Sequence, residues 1–125
     1  MPLGSENARA HLGTQGEELV VIWLKQHGYT ILARNFRARC GEIDIVARRG
    51  DVVSFVEVKR RSAHYFNLSE VITPSKQRKI SQTARVFIAR HPNLLCSYRF
   101  DVAFIEKGTA IVYVEHAFCS EKVTW

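Results

Sequence analysis

The feature that most constrains the fold is a pair of short apolar segments with charged residues inside them. The first is Gly41-Glu42-Ile43-Asp44-Ile45-Val46, and the second is Phe55-Val56-Glu57-Val58-Lys59. Both are rich in β-branched residues, and the linker Arg48-Arg49-Gly50-Asp51 offers a glycine for a tight turn. The sequence therefore predicts a β-hairpin of strands 42–47 and 52–59 that carries acids within the sheet.

The spacing of these acids predicts that they share one side of the hairpin. Because side chains alternate along a strand, Glu42 and Asp44 are expected on the same face. With Arg49-Gly50 at the turn centre, Glu42 would lie opposite Glu57, and Asp44 opposite Phe55. Asp44 and Glu57 would then be diagonal neighbours at about 7–8 Å between backbones, close enough to bind one cation.

Carboxylates on an apolar strand repel one another and lose hydration unless a cation compensates them. Asp44 and Glu57 provide oxygen ligands with room for water and phosphate, which suits Mg²⁺. The ion could activate water, and Lys59 could position the nucleophile or stabilise the charge on a phosphodiester. The alternative is a solvated hairpin with surface ion pairs. The apolar flanks favour the metal site, because they place the charges away from a sheet edge.

The remaining patterns predict two helices and three further strands. Residues 17–27 are expected to be helical up to Gly28, and Thr73-Pro74 is a typical start for a second helix that ends before Pro92. Strands are predicted at 29–36, 98–105 and 110–118. The order α-β-β-β-α-β-β indicates a mixed sheet covered by helices, of the α/β or α+β class. We expect residues 1–12 to form a flexible leader and residues 13–125 a single domain.

Glu17 is a second candidate for the site. Its helical neighbours at i+3, i+4 and i+7 are Val20, Val21 and Leu24, so the carboxylate lies on an apolar stripe and needs a partner, which a metal would supply. The alternative, which the residues alone favour, is an acid near the helix N-terminus that interacts with the helix dipole.

Charge and composition favour a polyanionic partner. Lys and Arg outnumber Asp and Glu by 18 to 12, a formal charge of +6, which suits nucleic acid through counterion release. The three cysteines are scattered and no zinc-type spacing occurs. No apolar run approaches the roughly 18 residues of a membrane span, and no secretory stretch opens the chain. We therefore expect a cytoplasmic protein with no membrane partner.

These residues together resemble the PD-(D/E)XK nuclease superfamily, in which an Asp on one strand and an acid-x-Lys on the next hold a divalent metal. Asp44 and Glu57-Val58-Lys59 match that pattern. The chain resembles the YraN-like bacterial proteins more closely, and these are similar to archaeal Holliday-junction resolvases. The segments that carry this resemblance are Gly16-Glu17, Asn35-Phe36-Arg37, the two hairpin strands through Arg61, and Arg99-Phe100-Asp101-Val102.

The resemblance implies a restriction-endonuclease-like core, Mg²⁺ or Mn²⁺ as cofactor, and an active-site set of Glu17, Asp44, Glu57 and Lys59. The sequence departs from the superfamily pattern at Ile43, where Pro is usual. Glu42, Lys76, Arg99 and Asp101 would lie around the site as support.

The sequence thus predicts a metal-dependent endonuclease-like protein acting on DNA in preference to RNA, with branched or damaged DNA as candidate substrates. Glu17, Asp44 and Glu57 are the expected metal ligands. The expected nucleic-acid contacts are Arg37, Arg61, Lys76 and Arg99, and a homodimer would suit paired cuts. The alternatives are a non-catalytic nucleic-acid-binding module of the same fold and a protein-interaction adaptor.

Overall fold

The computed structural model describes residues 5–60, 71–94 and 96–119 of the 125-residue chain. Within them lie two helices and five strands, in the predicted order α-β-β-β-α-β-β: α1 (Ser5–Gln26), β1 (Thr30–Ala38), β2 (Gly41–Arg49), β3 (Val52–Lys59), α2 (Pro74–Ala89), β4 (Ser97–Glu106) and β5 (Ala110–Phe118). The predicted mixed α/β class is confirmed.

The five strands form one sheet in the spatial order β1-β2-β3-β4-β5. Neighbouring strands are antiparallel except β3 and β4, which run parallel. A parallel pair needs a crossover connection, and the segment between β3 and β4 contains α2. This crossover brings the N-terminus of α2 to the end of β3, where Glu57 and Lys59 lie.

Two hydrophobic clusters lie on opposite faces of the sheet. The α2-side cluster contains Phe87 of α2 and Phe55 of β3, whose rings meet edge to face at 5.9 Å between centroids. The α1-side cluster contains Val20 and Leu24 of α1, both fully buried. The sheet is therefore covered on both faces, as expected for a mixed sheet with one parallel pair.

Helix α1 begins at Ser5, not at Glu17 as predicted. Residues 5–15 are largely polar, so hydrophobic periodicity does not reveal their helix. The predicted end is correct: Gly28 has a φ of 85°, and Tyr29 N–H donates to the Leu24 carbonyl at 3.0 Å. No helix of the described ranges combines the length and apolarity needed to cross a bilayer.

The predicted hairpin exists, but its predicted register is wrong by two residues. Arg49 pairs with Val52, so the turn centre is Gly50-Asp51. Gly50 has a φ of 62° and Asp51 has no positive φ, which is expected when glycine occupies the first central position of a hairpin turn. Phe55 consequently lies opposite Val46 and not opposite Asp44.

Candidate active site

Asp44 lies where the pairing of β2 with β3 ends. The last pair of that ladder is Ile45–Val56, and continuing the register by one residue places Asp44 directly opposite Glu57. At this point the Asp44 carboxylate accepts a 2.8 Å hydrogen bond from the main-chain N–H of Val58. The register therefore places the two acids opposite each other and not on the predicted diagonal, and a hydrogen bond to β3 fixes the orientation of the Asp44 side chain.

Glu57 is bound by two lysines. Its Oε1 lies 3.3 Å from Lys59 Nζ and 3.1 Å from Lys76 Nζ. The side chains of Glu57 and Lys59 are only 11% and 15% exposed, whereas Lys76 is 42% exposed. Lys76 belongs to the first turn of α2, where Thr73 caps the helix by accepting from the Lys76 N–H at 3.2 Å. The cap therefore holds Lys76 against the end of β3.

Glu17 approaches the same region from α1. Gly16 is buried, and a Cβ at that position would lie 3.1 Å from Ile105 Cδ1, so the glycine permits close approach of α1 to the sheet. Glu17 is partly buried, and its Oε2 accepts a 3.0 Å hydrogen bond from Asn35 Nδ2 of β1. Val20 and Val21 on the same stripe of the helix are buried, as the sequence pattern indicated.

The acids are close enough to affect one another. The pKa of Asp44 is raised from an ordinary value of 3.8 to about 7, chiefly by burial and next by the Glu57 carboxylate. The Val58 N–H opposes this rise, while Glu17 and Glu42 add to it. An Asp with such a pKa carries a charge that its surroundings do not compensate, so a cation at this position would be stabilised.

The two lysines beside Glu57 have different electrostatic surroundings. Burial, together with the neighbouring Lys76, lowers the pKa of Lys59 below its ordinary value. Burial alone would also lower the pKa of Lys76, but Lys59 and Glu57 outweigh it and the pKa is raised. Lys59 is the more buried of the two lysines, and because its pKa is the lower one it gives up a proton more easily than Lys76.

The donor set fits Mg²⁺ or Mn²⁺ in its chemistry. Within the described residues, no three His, Cys, Asp or Glu side chains are gathered closely enough to form a ready cluster of ligands. Mg²⁺, however, commonly binds through one or two carboxylates and keeps several waters or substrate phosphates. Asp44 and Glu57, which face each other across two strands, would be those carboxylates, and in this structure Glu57 is paired with Lys59 and Lys76.

The structure does not bring Arg99 to these acids. Arg99 forms a bidentate ion pair with Asp101, both contacts being 2.8 Å, and donates to the hydroxyls of Tyr29 and Ser54. Tyr29 belongs to the α1-side cluster, and Arg99 pairs in register with Ser54, three residues before Glu57 on β3. That separation is about 10 Å along the strand. Arg99 and Asp101 therefore form their own network.

Asp101 completes an irregular pairing between β4 and β5. It is fully buried and accepts hydrogen bonds from the Tyr113 hydroxyl and from the N–H of His116, whose φ is 53°. The ladder shifts register between Phe100 and Val102 at this point. A carboxylate with all these partners stabilises the bulge, and burial with the nearby Asp101 raises the pKa of Tyr113.

The other three residues predicted to contact nucleic acid lie in different surroundings. Arg37 has a 76% exposed side chain and lies 3.6 Å from Glu42, its partner in the β1–β2 register. Lys76 is next to Glu57, so it is part of the site itself. Arg61 lies outside the described residues.

Sequence reasoning did not identify the contribution of Asn35. It entered only as part of a motif, yet its amide holds Glu17 and its φ is 51°. An Asn within a strand is a signal that could have been used, because Asn tolerates left-handed backbone better than most residues.

Comparison with known proteins places the chain among relatives without an assigned activity. A family model described as "Uncharacterised protein family UPF0102" matches residues 16–105. A UPF0102 protein of Caldicellulosiruptor saccharolyticus is 48% identical over 75% of this chain and 80% of its own length. Those of Geobacter metallireducens and Chloroherpeton thalassium are 47% and 36% identical, over 84% and 90% of this chain and 87% and 96% of their own lengths.

Proposed function

The chain belongs to uncharacterised protein family UPF0102, the YraN-like family, and we propose that it is a metal-dependent endonuclease acting on DNA. The observation that carries the proposal is the meeting of Asp44 with Glu57 beside Lys59 at the end of β3. The Asp44 carboxylate is opposed by a second carboxylate in a partly buried position, where burial and like charge raise its pKa to about 7. This arrangement is costly for folding and is suited to binding a cation.

In this proposal Asp44 and Glu57 hold Mg²⁺ or Mn²⁺, and Glu17 is a further ligand or orients water. A bound divalent cation supplies Lewis-acid stabilisation of the phosphodiester charge. Glu57 would hold the cation in place of its contacts with Lys59 and Lys76, and both ammonium groups would then be available to phosphate oxygens. Lys59, partly buried and fixed on β3, orients the nucleophile, and the more exposed Lys76 binds the DNA backbone.

DNA is the proposed substrate because the protein as a whole is basic and two lysines lie beside its acidic centre. The formal charge of +6 attracts a polyanion at a distance, while the carboxylates bind the cation that a phosphodiester also needs. Branched or damaged DNA remains the first class to examine. A homodimer and a cytoplasmic location stay predictions.

A non-catalytic nucleic-acid-binding module is the second candidate. The contacts of Glu57 with two lysines favour it, because a carboxylate neutralised in this way needs no metal. The test is incubation of labelled linear, flapped and four-way-junction DNA, and of RNA, with Mg²⁺, Mn²⁺ or EDTA. Cleavage that needs the metal is expected. Salt-sensitive binding to every substrate, unaffected by metal and without cleavage, would contradict the proposal in favour of the binding module.

A further inference from the structure

Asn35 has a backbone conformation that a regular strand would not adopt. It lies inside β1 with a φ of 51°, in the left-handed region. The alternation of burial along β1 is interrupted here, since Arg34 and Asn35 are both exposed. Their side chains contact consecutive residues of α1: Arg34 Nη1 lies 2.9 Å from Glu18 Oε2, and Asn35 Nδ2 lies 3.0 Å from Glu17 Oε2. The left-handed backbone thus turns two successive side chains toward one helix.

The alternation of side chains between the two faces of the sheet is interrupted on both β1 and its neighbour β2. Ala33 and Phe36 both pack against the α2-side cluster although they are three residues apart, and so do Ile43 and Val46 on β2. Strict alternation would separate the members of each pair onto opposite faces. The irregularity is therefore shared by β1 and β2, and lies between these pairs of residues.

The residues at the centre of this irregularity are Asn35 and Asp44. The β1–β2 register pairs Arg34 with Ile45 and Phe36 with Ile43, which places Asn35 opposite Asp44 between them. Asn35 is thus next to Asp44 across the ladder while its amide reaches Glu17 on α1. Asn35 therefore lies between Glu17 of α1, to which it is hydrogen-bonded, and Asp44 of β2, which it faces in the register.

We propose that Asn35 is a positioning residue for the metal centre, acting through Glu17. Its side-chain N–H binds Glu17 Oε2, which leaves Oε1 to bind a cation or a water. A left-handed non-glycine residue inside a strand is uncommon, and such a conformation persists where the surrounding structure requires it. Hydrogen bonds to a ligand carboxylate fix its orientation and commonly affect metal affinity. This inference rests on the proposed function, because it assumes that Glu17 assists a metal.

The experiment is a double-mutant cycle read out as Mn²⁺ affinity by isothermal titration, without DNA. Asn35→Gly removes the amide but tolerates the φ of 51°, so the backbone can remain as it is. We expect Asn35→Gly to weaken Mn²⁺ binding by about 10- to 100-fold. In the Glu17→Gln background the same substitution should have no further effect, because Asn35 acts only through Glu17. Arg34→Gln, which breaks the adjacent α1–β1 contact, is the matched control and should bind Mn²⁺ like the wild type.

The outcomes separate this inference from the proposed function. If the wild type binds Mn²⁺ and Asn35→Gly binds it equally well, the positioning role is wrong and the nuclease proposal stands. Equal weakening by Asn35→Gly in both Glu17 backgrounds, or by Arg34→Gln, would also overturn the role, since it would indicate a general effect on the α1–β1 contact. A wild type that binds no Mn²⁺ would overturn the proposed function and this inference together.

Discussion

The carboxylate of Asp44 on β2 accepts a 2.8 Å hydrogen bond from the main-chain N–H of Val58 on β3. This bond holds an acid of raised pKa opposite Glu57, at the point where the β2–β3 pairing ends. The fold therefore gives the Asp44 carboxylate a hydrogen-bond donor, the Val58 N–H, but the described residues bring it too little positive charge to offset its burial and the nearby Glu57.

The stability of the metal-free protein should depend on pH through Asp44. Its pKa of about 7 in the folded chain exceeds the ordinary 3.8, so the folded chain binds the proton more tightly than the unfolded chain. The stabilisation is complete below the ordinary value and is lost as the pH rises through about 7. The loss is on the order of 4 kcal/mol. Denaturant unfolding in EDTA between pH 4 and pH 8 measures it.

In the same series, Asp44→Asn should show a flatter dependence than the wild type, because Asn cannot titrate but can still accept from Val58. Asp51→Asn, the same chemical change in the exposed hairpin turn, should follow the wild type. Parallel curves for the wild type and Asp44→Asn would contradict the role of Asp44.

Mg²⁺ should stabilise the folded protein more at pH 8 than at pH 6. At the lower pH the cation must displace the proton from Asp44, so its apparent affinity falls. Saturation to about 100 times Kd would add about 2.7 kcal/mol to the free energy of unfolding. The measurement is the change in Tm on adding Mg²⁺ at each pH. A shift of equal size in Asp44→Asn would show that the cation binds elsewhere.

Lys59 and Lys76 contact the same oxygen of Glu57 and are expected to have separable roles. Lys59→Gln should lower the cleavage rate at saturating DNA by about 10²-fold, as loss of a charge-stabilising group does. Lys76→Gln should instead weaken DNA binding and reduce the slope of log affinity against log salt by about one. Single-turnover cleavage and salt-dependent binding distinguish them. Identical effects of the two substitutions on both quantities would refute this division.

Asp101→Asn should destabilise the fold without acting on the site. Asp101 is fully buried and pairs with Arg99, whose side chain is 16% exposed, and removing one partner of a buried pair costs about 3–5 kcal/mol. Denaturant unfolding measures this cost, with Arg37→Gln, whose side chain is 76% exposed, as a control expected within about 0.5 kcal/mol of the wild type. Should Arg99→Gln weaken DNA binding at unchanged stability, Arg99 would be a nucleic-acid contact as the sequence predicted.

Much of the fold could be predicted from local patterns. Thr73 and Pro74 marked the start of α2, and alternating apolar residues marked the hairpin. The register failed because the hairpin sequence contains one glycine that can occupy either central position of the turn. Only the folded chain shows that Gly50, with a φ of 62°, takes the first central position and that Asp51, which has no positive φ, takes the second. The predicted start of α1 was wrong because the first turns of the helix are polar and show no periodic spacing of apolar residues.

The candidate site was predictable in its residue types and less so in its contacts. Period-two alternation predicted that Asp44 and Glu57 lie near each other, and a register error of two residues does not by itself change the face. The sequence did not reveal that the alternation is interrupted between Ile43 and Val46, where Asp44 lies. It could not show that Lys76 shares the Glu57 oxygen, because that depends on how α2 crosses the sheet. Nor could it separate Arg99 from the site, because the bulge at Asp101 and His116 is a tertiary feature.

The most direct test of the metal-dependent site is cleavage of labelled four-way-junction and flapped DNA by the wild type, Asp44→Asn and Asp51→Asn, with Mn²⁺ and with EDTA, at DNA concentrations where all three bind. Cleavage by the wild type and Asp51→Asn in Mn²⁺ only, with none by Asp44→Asn despite equal DNA binding, is the predicted result. Cleavage by Asp44→Asn at the wild-type rate, or cleavage that persists in EDTA, would contradict it.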